Sequence, residues 1–234
     1  MELLSFGDAG WGDEMLRAAG MTLAVSLSSM ALGLVFGTLA AAAKLSAVAP
    51  ARWLAEGYTT VLRGVPELLI IYLLFFGGSG AVMFVAGLFG YHGYIELHAF
   101  TIGTFAIGAI SGSYSTEVIR GAVLAVPRGQ IEAAQAIGMP RRLLFRRILL
   151  PQVARYALPG LGNVWQVTLK GTALISVTGL VELMRQAHIA SGSTRQPFTF
   201  YLVAALACLV LTVFSNYGFQ RAEDWANRGV RRAP

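Results

Sequence analysis

The chain has 234 residues, of which 56% are hydrophobic and only 13% charged, with a mean hydropathy of +0.62, whereas ordinary soluble domains carry roughly 25% charged residues. That balance excludes a water-soluble domain and places the chain in a membrane. The net charge of +6 does not point to nucleic acid as a partner, because the basic residues are confined to particular loops between apolar runs.

Glu2, Asp8, Asp13 and Glu14 precede the first basic residue, Arg17, the reverse of a secretory signal. The first apolar run, residues 15–43, is too long for a signal core and ends at Lys44, so it is expected to stay as a helix. Four further runs follow at 66–85, 99–126, 154–180 and 198–219, each able to cross a core of about 30 Å at 1.5 Å per residue. The second is the least regular. Gly64 and Pro66 break whatever precedes it, and the glycine-rich residues 77–80 are expected to end it early, leaving 81–89 as a short surface helix. Five spans use up the chain, so the expectation is an all-α, polytopic protein with a single transmembrane domain over residues 1–234. Gly33 and Gly37, four apart in the first run, suit close helix packing. The one cysteine, Cys208, lies in the last run and reads as packing.

Fourteen of the eighteen Lys and Arg residues fall on one side of this arrangement, between spans one and two, between three and four, and after five. Arg17, Arg185 and Arg195 fall on the other side, and Lys170 lies inside a span. The bias puts the fourteen in the cytoplasm, with the N-terminus periplasmic and the C-terminus cytoplasmic. An odd number of spans independently requires the two ends to lie on opposite sides.

Between the third and fourth runs, residues 127–151 turn polar. Glu132-Ala133-Ala134 is followed by Gly138 and then by Ile148, Leu150 and Pro151. Ala133, Ala136 and Ile137 recur at helical spacing as a small, smooth face, with Glu132 and Gln135 pointing elsewhere. Gly138 is expected to stop this helix in the left-handed conformation, Pro140 to open a second one, and Pro151 to close it. Leu144 and Ile148 share a face of that second helix, and Arg141, Arg142, Arg146 and Arg147 give it charge. Two short helices at a sharp corner would project from the membrane; the plainer reading is an amphipathic loop lying on anionic lipid.

The order Glu-Ala-Ala, Gly, Ile-x-Leu-Pro resembles the coupling loop of permease subunits in bacterial ATP-binding-cassette importers. Further segments narrow the resemblance to permeases for polar amino acids, of the histidine, lysine-arginine-ornithine and octopine or nopaline types. These are Glu56-Gly57-Tyr58-Thr59-Thr60, Arg63-Gly64-Val65-Pro66, Thr116-Glu117, Arg120-Gly121, Val126-Pro127, Tyr156-Ala157-Leu158-Pro159-Gly160, Trp165-Gln166-Val167, Leu169-Lys170 and Thr172-Ala173-Leu174. The resemblance implies a type I importer permease fold in the inner membrane. It also implies a pair of ATPase subunits that bind ATP and Mg, a sister permease that is usually a distinct subunit, and a periplasmic solute-binding protein. The chain has no GxxxxGK[ST] phosphate loop, so no cofactor is expected on it. The resemblance assigns ATPase coupling to Glu132, Ala133, Ala134, Gly138, Ile148, Leu150 and Pro151.

Ionisable groups inside spans usually face a cavity or a partner. Glu117 follows a polar stretch of Ser111, Ser113, Tyr114, Ser115 and Thr116, as expected of a cavity wall; pairing with Arg120 one turn on is the structural rival. Asn163, Gln166 and Lys170 lie on one helical face, which reads as a substrate path or as an interhelical hydrogen-bond seam. As a path, Glu117 would attract the ammonium or guanidinium of a polar amino acid and Lys170 its carboxylate. Glu67, directly after Pro66, reads as a first-turn carboxylate complementing the helix dipole. His92, His98 and His188 lack clustered co-ligands, so no metal site is expected. With no HExxH and no GxSxG there is no catalytic residue to name and no enzyme expected. The alternative function is an ion-coupled secondary transporter acting as a dimer, with Glu117 as its proton site and no need of an ATPase.

Overall fold

The computed structural model describes residues 2–7, 10–91, 93 and 98–228; Asp8, His92, Arg231 and Arg232 lie outside the described residues. The described residues form helices joined by short turns, in the order α1 (Gly12–Leu45), α2 (Ala49–Gly64), α3 (Glu67–Leu88), α4 (Ala99–Leu124), α5 (Arg128–Ala136), α6 (Arg141–Leu144), α7 (Leu150–Gly171), α8 (Leu183–Thr194) and α9 (Pro197–Ala226).

Helix α4 occupies the middle and packs against α1, α7, α3 and α2, most extensively against α1. Small residues make that contact possible. A Cβ added at Gly37 would stand 2.6 Å from the Ser115 Cβ, and one at Gly112 would stand 3.1 Å from the Gly33 carbonyl oxygen, so the two backbones nearly touch. On the other side of α4, Gly160 of α7 lies against Val118, where an added Cβ would come within 2.7 Å. Three apolar clusters follow α1 along its length: Met15 with Leu183, Ala187 and Phe200; Val25 with Ile71, Ile107 and Ile175; and Met30 with Val164, Trp165 and Leu169.

Helices α1, α3 and α9 are long and apolar enough to span a membrane, and a fourth candidate is the stretch Arg141–Thr178 with Leu183–Thr194, bent by 51°. Helix α4, at 26 residues, is about 39 Å long and completes five spans. It can afford its serines and its glutamate because neighbouring helices, not lipid, surround it.

Three local expectations are corrected. Residues 77–80 do not end the second span, since α3 runs unbroken to Leu88; in lipid a glycine-rich backbone has no water to turn to, so helical hydrogen bonds remain its best option. Pro151 does not close the second loop helix. The chain passes from α6 through a π-helical turn, Phe145–Leu149, directly into α7, with Pro151 in the first turn of α7. The wider turn lets the Leu150 N–H reach the Phe145 carbonyl and accommodates a residue with no N–H of its own. The fourth span also changes at Gly171, where α7 gives way to a 3₁₀ segment, Thr172–Thr178, ended by Gly179 at φ 88°. The outer loop expected after it holds α8, whose buried cap residue Glu182 accepts hydrogen bonds from the Met184 and Arg185 amides at 2.9 and 2.8 Å.

Overpacking a tight site costs about 1–3 kcal/mol, so Gly112→Val should lower the thermal midpoint of the detergent-solubilised protein. Gly121→Ala, in the same helix with nothing within 4 Å of an added Cβ, should leave it unchanged or raise it. Equal effects from the two would show that the α1–α4 contact does not limit stability.

Candidate functional site

Residues 127–151 form a knob. Helix α5 starts after Pro127 and ends at Ile137, and Gly138 takes φ 75°. There the Gly138 N–H donates to the Gln135 carbonyl at 2.9 Å and the Met139 N–H to the Ala134 carbonyl at 3.1 Å, closing the helix end and turning the chain. Pro140 opens α6. Helix α5 packs mainly on α6 and the π turn, burying Ala134 of α5 and Leu144 of α6. Glu132, Ala133, Ala136 and Ile137 are exposed, Ile137 at 78%. Ile148 is half-buried, Leu150 and Pro151 are exposed, and the four arginines face outward. The result is an exposed tip of small and apolar side chains bordered by cations.

Two turns back along α4 lies an ion cluster. Glu117 uses both carboxylate oxygens: Oε1 accepts from the Lys44 ammonium at 2.6 Å, and Oε2 accepts from Arg120 Nε and Nη2 at 3.0 and 2.9 Å. Lys44 also donates to Glu56 at 2.9 Å. The cluster contains two positive and two negative groups, so Glu117 is not a free anion.

Asn163, Gln166 and Lys170 do share a face of α7. Asn163 and Lys170 are exposed, while Gln166 Nε2 donates to Asn216 Oδ1 on α9 at 2.7 Å, the seam expected as the rival reading. Lys170 makes no ion pair among the described residues, and the structure does not pair it with Glu117.

A cleft between α4, α7 and the start of α3 brings together groups that the sequence left apart. Glu67, Ser111, Tyr114, Thr168 and Gly171 line it with apolar neighbours; it is narrow, about 10 Å³, and the exposed Arg63 guanidinium stands outside this lining, 5.5 Å from the centre of the Tyr114 ring. Glu67 sits half-buried in the first turn of α3 as expected, yet among the described residues it makes no cap hydrogen bond and no ion pair. Arg63 likewise has no carboxylate partner among the described residues. Among the described residues, an acid and a guanidinium without ion-pair partners therefore flank the Val65-Pro66 break, Glu67 in the wall of a mostly apolar crevice and Arg63 beside it. Charge of both signs at an interrupted helix is how membrane carriers hold zwitterions.

Residues 33–231 match the family of binding-protein-dependent transport system inner membrane components. The chain belongs to this family. Along its whole length this permease is similar to the nopaline transport system permease protein NocQ of Agrobacterium fabrum, with 60% identity over 99% of this chain and 98% of the relative. It is 57% identical to the octopine permease OccQ of Rhizobium radiobacter, over 99% and 98% of the two chains. It is 42% identical to the histidine/lysine/arginine/ornithine permease HisQ of Escherichia coli, over 96% and 98%. Among solved structures, an amino acid ABC transporter with histidines superposes with a TM-score of 0.77 at 30% identity, covering 92% of this chain and 94% of that one. The inward-facing methionine transporter MetNI gives 0.75 at 16% identity, over 95% and 100%, which speaks to the fold alone. The fold is that of a type I importer permease.

Sequence alone places Arg63 and Lys44 among the cytoplasmic-side cations and Glu67 beside the helix dipole; the structure adds the Arg63–Tyr114 contact, the crevice at Glu67 and the Lys44 ion cluster. A detectable signal was present in opposite charges four apart across Gly64-Val65-Pro66, the Gly/Pro interruption that marks binding sites in carriers.

Proposed function

We propose that this permease carries a polar amino acid, cationic or opine-like, across the bacterial inner membrane, with its N-terminus periplasmic and its C-terminus cytoplasmic. It works with a sister permease, in the usual arrangement a different chain, with a periplasmic solute-binding protein, and with two ATPase subunits that hold ATP and Mg. The observation that carries this reading is the exposed corner at Gly138, a preformed knob of Glu132, Ala133 and Ala134 backed by Ile148, Leu150 and Pro151. ATP-driven closure of the ATPase pair pulls on this knob and switches the side to which the permease cavity opens. The nopaline, octopine and histidine relatives support the cargo class, and the family match disfavours an ion-coupled carrier.

For the cargo path we assign the anionic contact to Glu67 and not to Glu117, since the Glu117 carboxylate is already balanced by Lys44 and Arg120. Arg63 receives the cargo carboxylate. Asn163, Gln166 and Lys170 continue the polar route along α7, and Glu117 anchors the bundle at the end nearest the knob.

Two measurements test this in vesicles holding the complete complex, using uptake of arginine, histidine, lysine, glutamine, glutamate and opines. Gly138→Asp should abolish uptake while ATP hydrolysis and membrane insertion persist. An added Cβ there meets nothing within 4 Å, and the left-handed conformation costs roughly 1–2 kcal/mol. Coupled uptake at the normal rate by Gly138→Asp would refute the coupling assignment. Glu67→Gln should raise the KM for cationic cargo about tenfold, the scale of a charged hydrogen bond worth about 1.5 kcal/mol, and affect a neutral cargo less. An equal effect on both cargoes would move the cation site elsewhere.

A further inference from the structure

We propose that Lys44 is a positioning residue: its ammonium clasps α2 to α4 and thereby ties the cleft at the α2–α3 break to the coupling knob. This rests on the importer reading above, and concerns how motion reaches the cargo site.

Lys44 belongs to the last turn of α1, and its side chain is only 4% exposed. One nitrogen grips Glu56 of α2 at 2.9 Å and Glu117 of α4 at 2.6 Å, so three helices meet at a single ammonium. Only the Lys44 ammonium is buried: losing Glu117 would leave it held by an exposed carboxylate alone, while losing Glu56 would leave it paired with Glu117 but no longer tied to α2. The Tyr58 hydroxyl adds a second tie, donating to the Ala109 carbonyl of α4 at 2.6 Å.

The positions of these groups along their helices give the clasp its leverage. On α2, Glu56 lies two turns before Arg63 and on the same face, so gripping Glu56 sets where the Arg63 guanidinium falls over Tyr114. On α4, Glu117 is one turn beyond Tyr114, and the helix then runs to Leu124 and through buried Val126 into the knob. The nearest soft point is Gly64-Val65-Pro66, which lies on the far side of the clasp. A tilt of α4 imposed at the knob is therefore carried by α2 as far as Arg63 and released at the break, where it changes the spacing of Arg63 and Glu67. Without Lys44, α2 follows α4 only through the Tyr58 hydrogen bond and direct packing, and less of the tilt reaches Arg63.

The test compares wild type, Glu56→Gln, Lys44→Arg and Lys44→Met in the reconstituted complex, reading solute uptake and ATP hydrolysis in the same vesicles. Glu56 is 62% exposed, so Glu56→Gln folds and removes only the α2 arm of the clasp. Uptake per ATP hydrolysed should fall about tenfold in Glu56→Gln and Lys44→Met, in line with measured couplings between distant sites, and Lys44→Arg should recover most of the ratio. A wild-type ratio in Glu56→Gln would overturn the proposal. So would a parallel loss of uptake and hydrolysis in Lys44→Met that Lys44→Arg leaves unrepaired, because that marks a merely structural ion pair. ATP dependence of wild-type uptake tests the importer reading separately from these ratios.

Discussion

Lipid tails are as apolar as leucine, so helices inside a bilayer gain little by hiding hydrophobic surface from them and must be held by close packing instead. In this chain that constraint falls on the α1–α4 seam, where Gly33, Gly37, Gly112 and Ser115 bring two backbones into contact. Helix α4 is thereby surrounded by protein. Once removed from lipid, it tolerates a sequence too polar for an outer span, including Ser111, Tyr114, Thr116 and Glu117. The same helix then supplies a wall of the cleft, one pole of the ion cluster and the lead into the coupling knob.

Function gathers where the backbone departs from a regular helix. The chain breaks at Val65-Pro66, turns through a left-handed glycine at 138, widens into a π turn at Phe145–Leu149 and tightens into a 3₁₀ segment at Thr172–Thr178. Each departure frees or redirects polar groups that a regular helix would consume, and such groups are tolerated in a membrane only where protein or a cavity receives them. The first break holds Arg63 and Glu67 beside the cleft. The second and third shape the exposed knob proposed to meet the ATPase.

Much of this was legible in the sequence because it depends on patterns that a membrane enforces. Apolar run lengths, the distribution of Arg and Lys, and the Glu-Ala-Ala to Gly138 spacing answer to bilayer thickness, translocation and a helix end, all of which act locally along the chain. What failed was different in kind. Lys44 looked like a loop cation because nothing local says that α1 ends against α2 and α4, which requires residues 12 and 73 positions away. Pro151 and the glycines at 77–80 looked like breakers because breaking is their habit in water. Helix α8 was missed because its twelve residues are too few and too polar to stand out from a loop, and its cap, Glu182, is recognisable only once its burial is known.

The two charge groupings of the bundle follow opposite logic. Lys44, Glu56, Glu117 and Arg120 satisfy one another within 3 Å and sum to zero, so they present almost no field to a passing solute; their stake is in staying together, because breaking a desolvated pair is costly. Arg63 and Glu67 also sum to zero but are not paired with each other among the described residues; the half-buried Glu67 keeps its field at short range in the crevice, with the exposed Arg63 beside it. A closed cluster of this kind suits a strut and an open pair suits a binding site. Tyr114 and Glu117, one turn apart on α4, place the two within reach of the same rigid helix, and a subunit that must convert a pull at its base into a change at its cargo site needs the two to be that close.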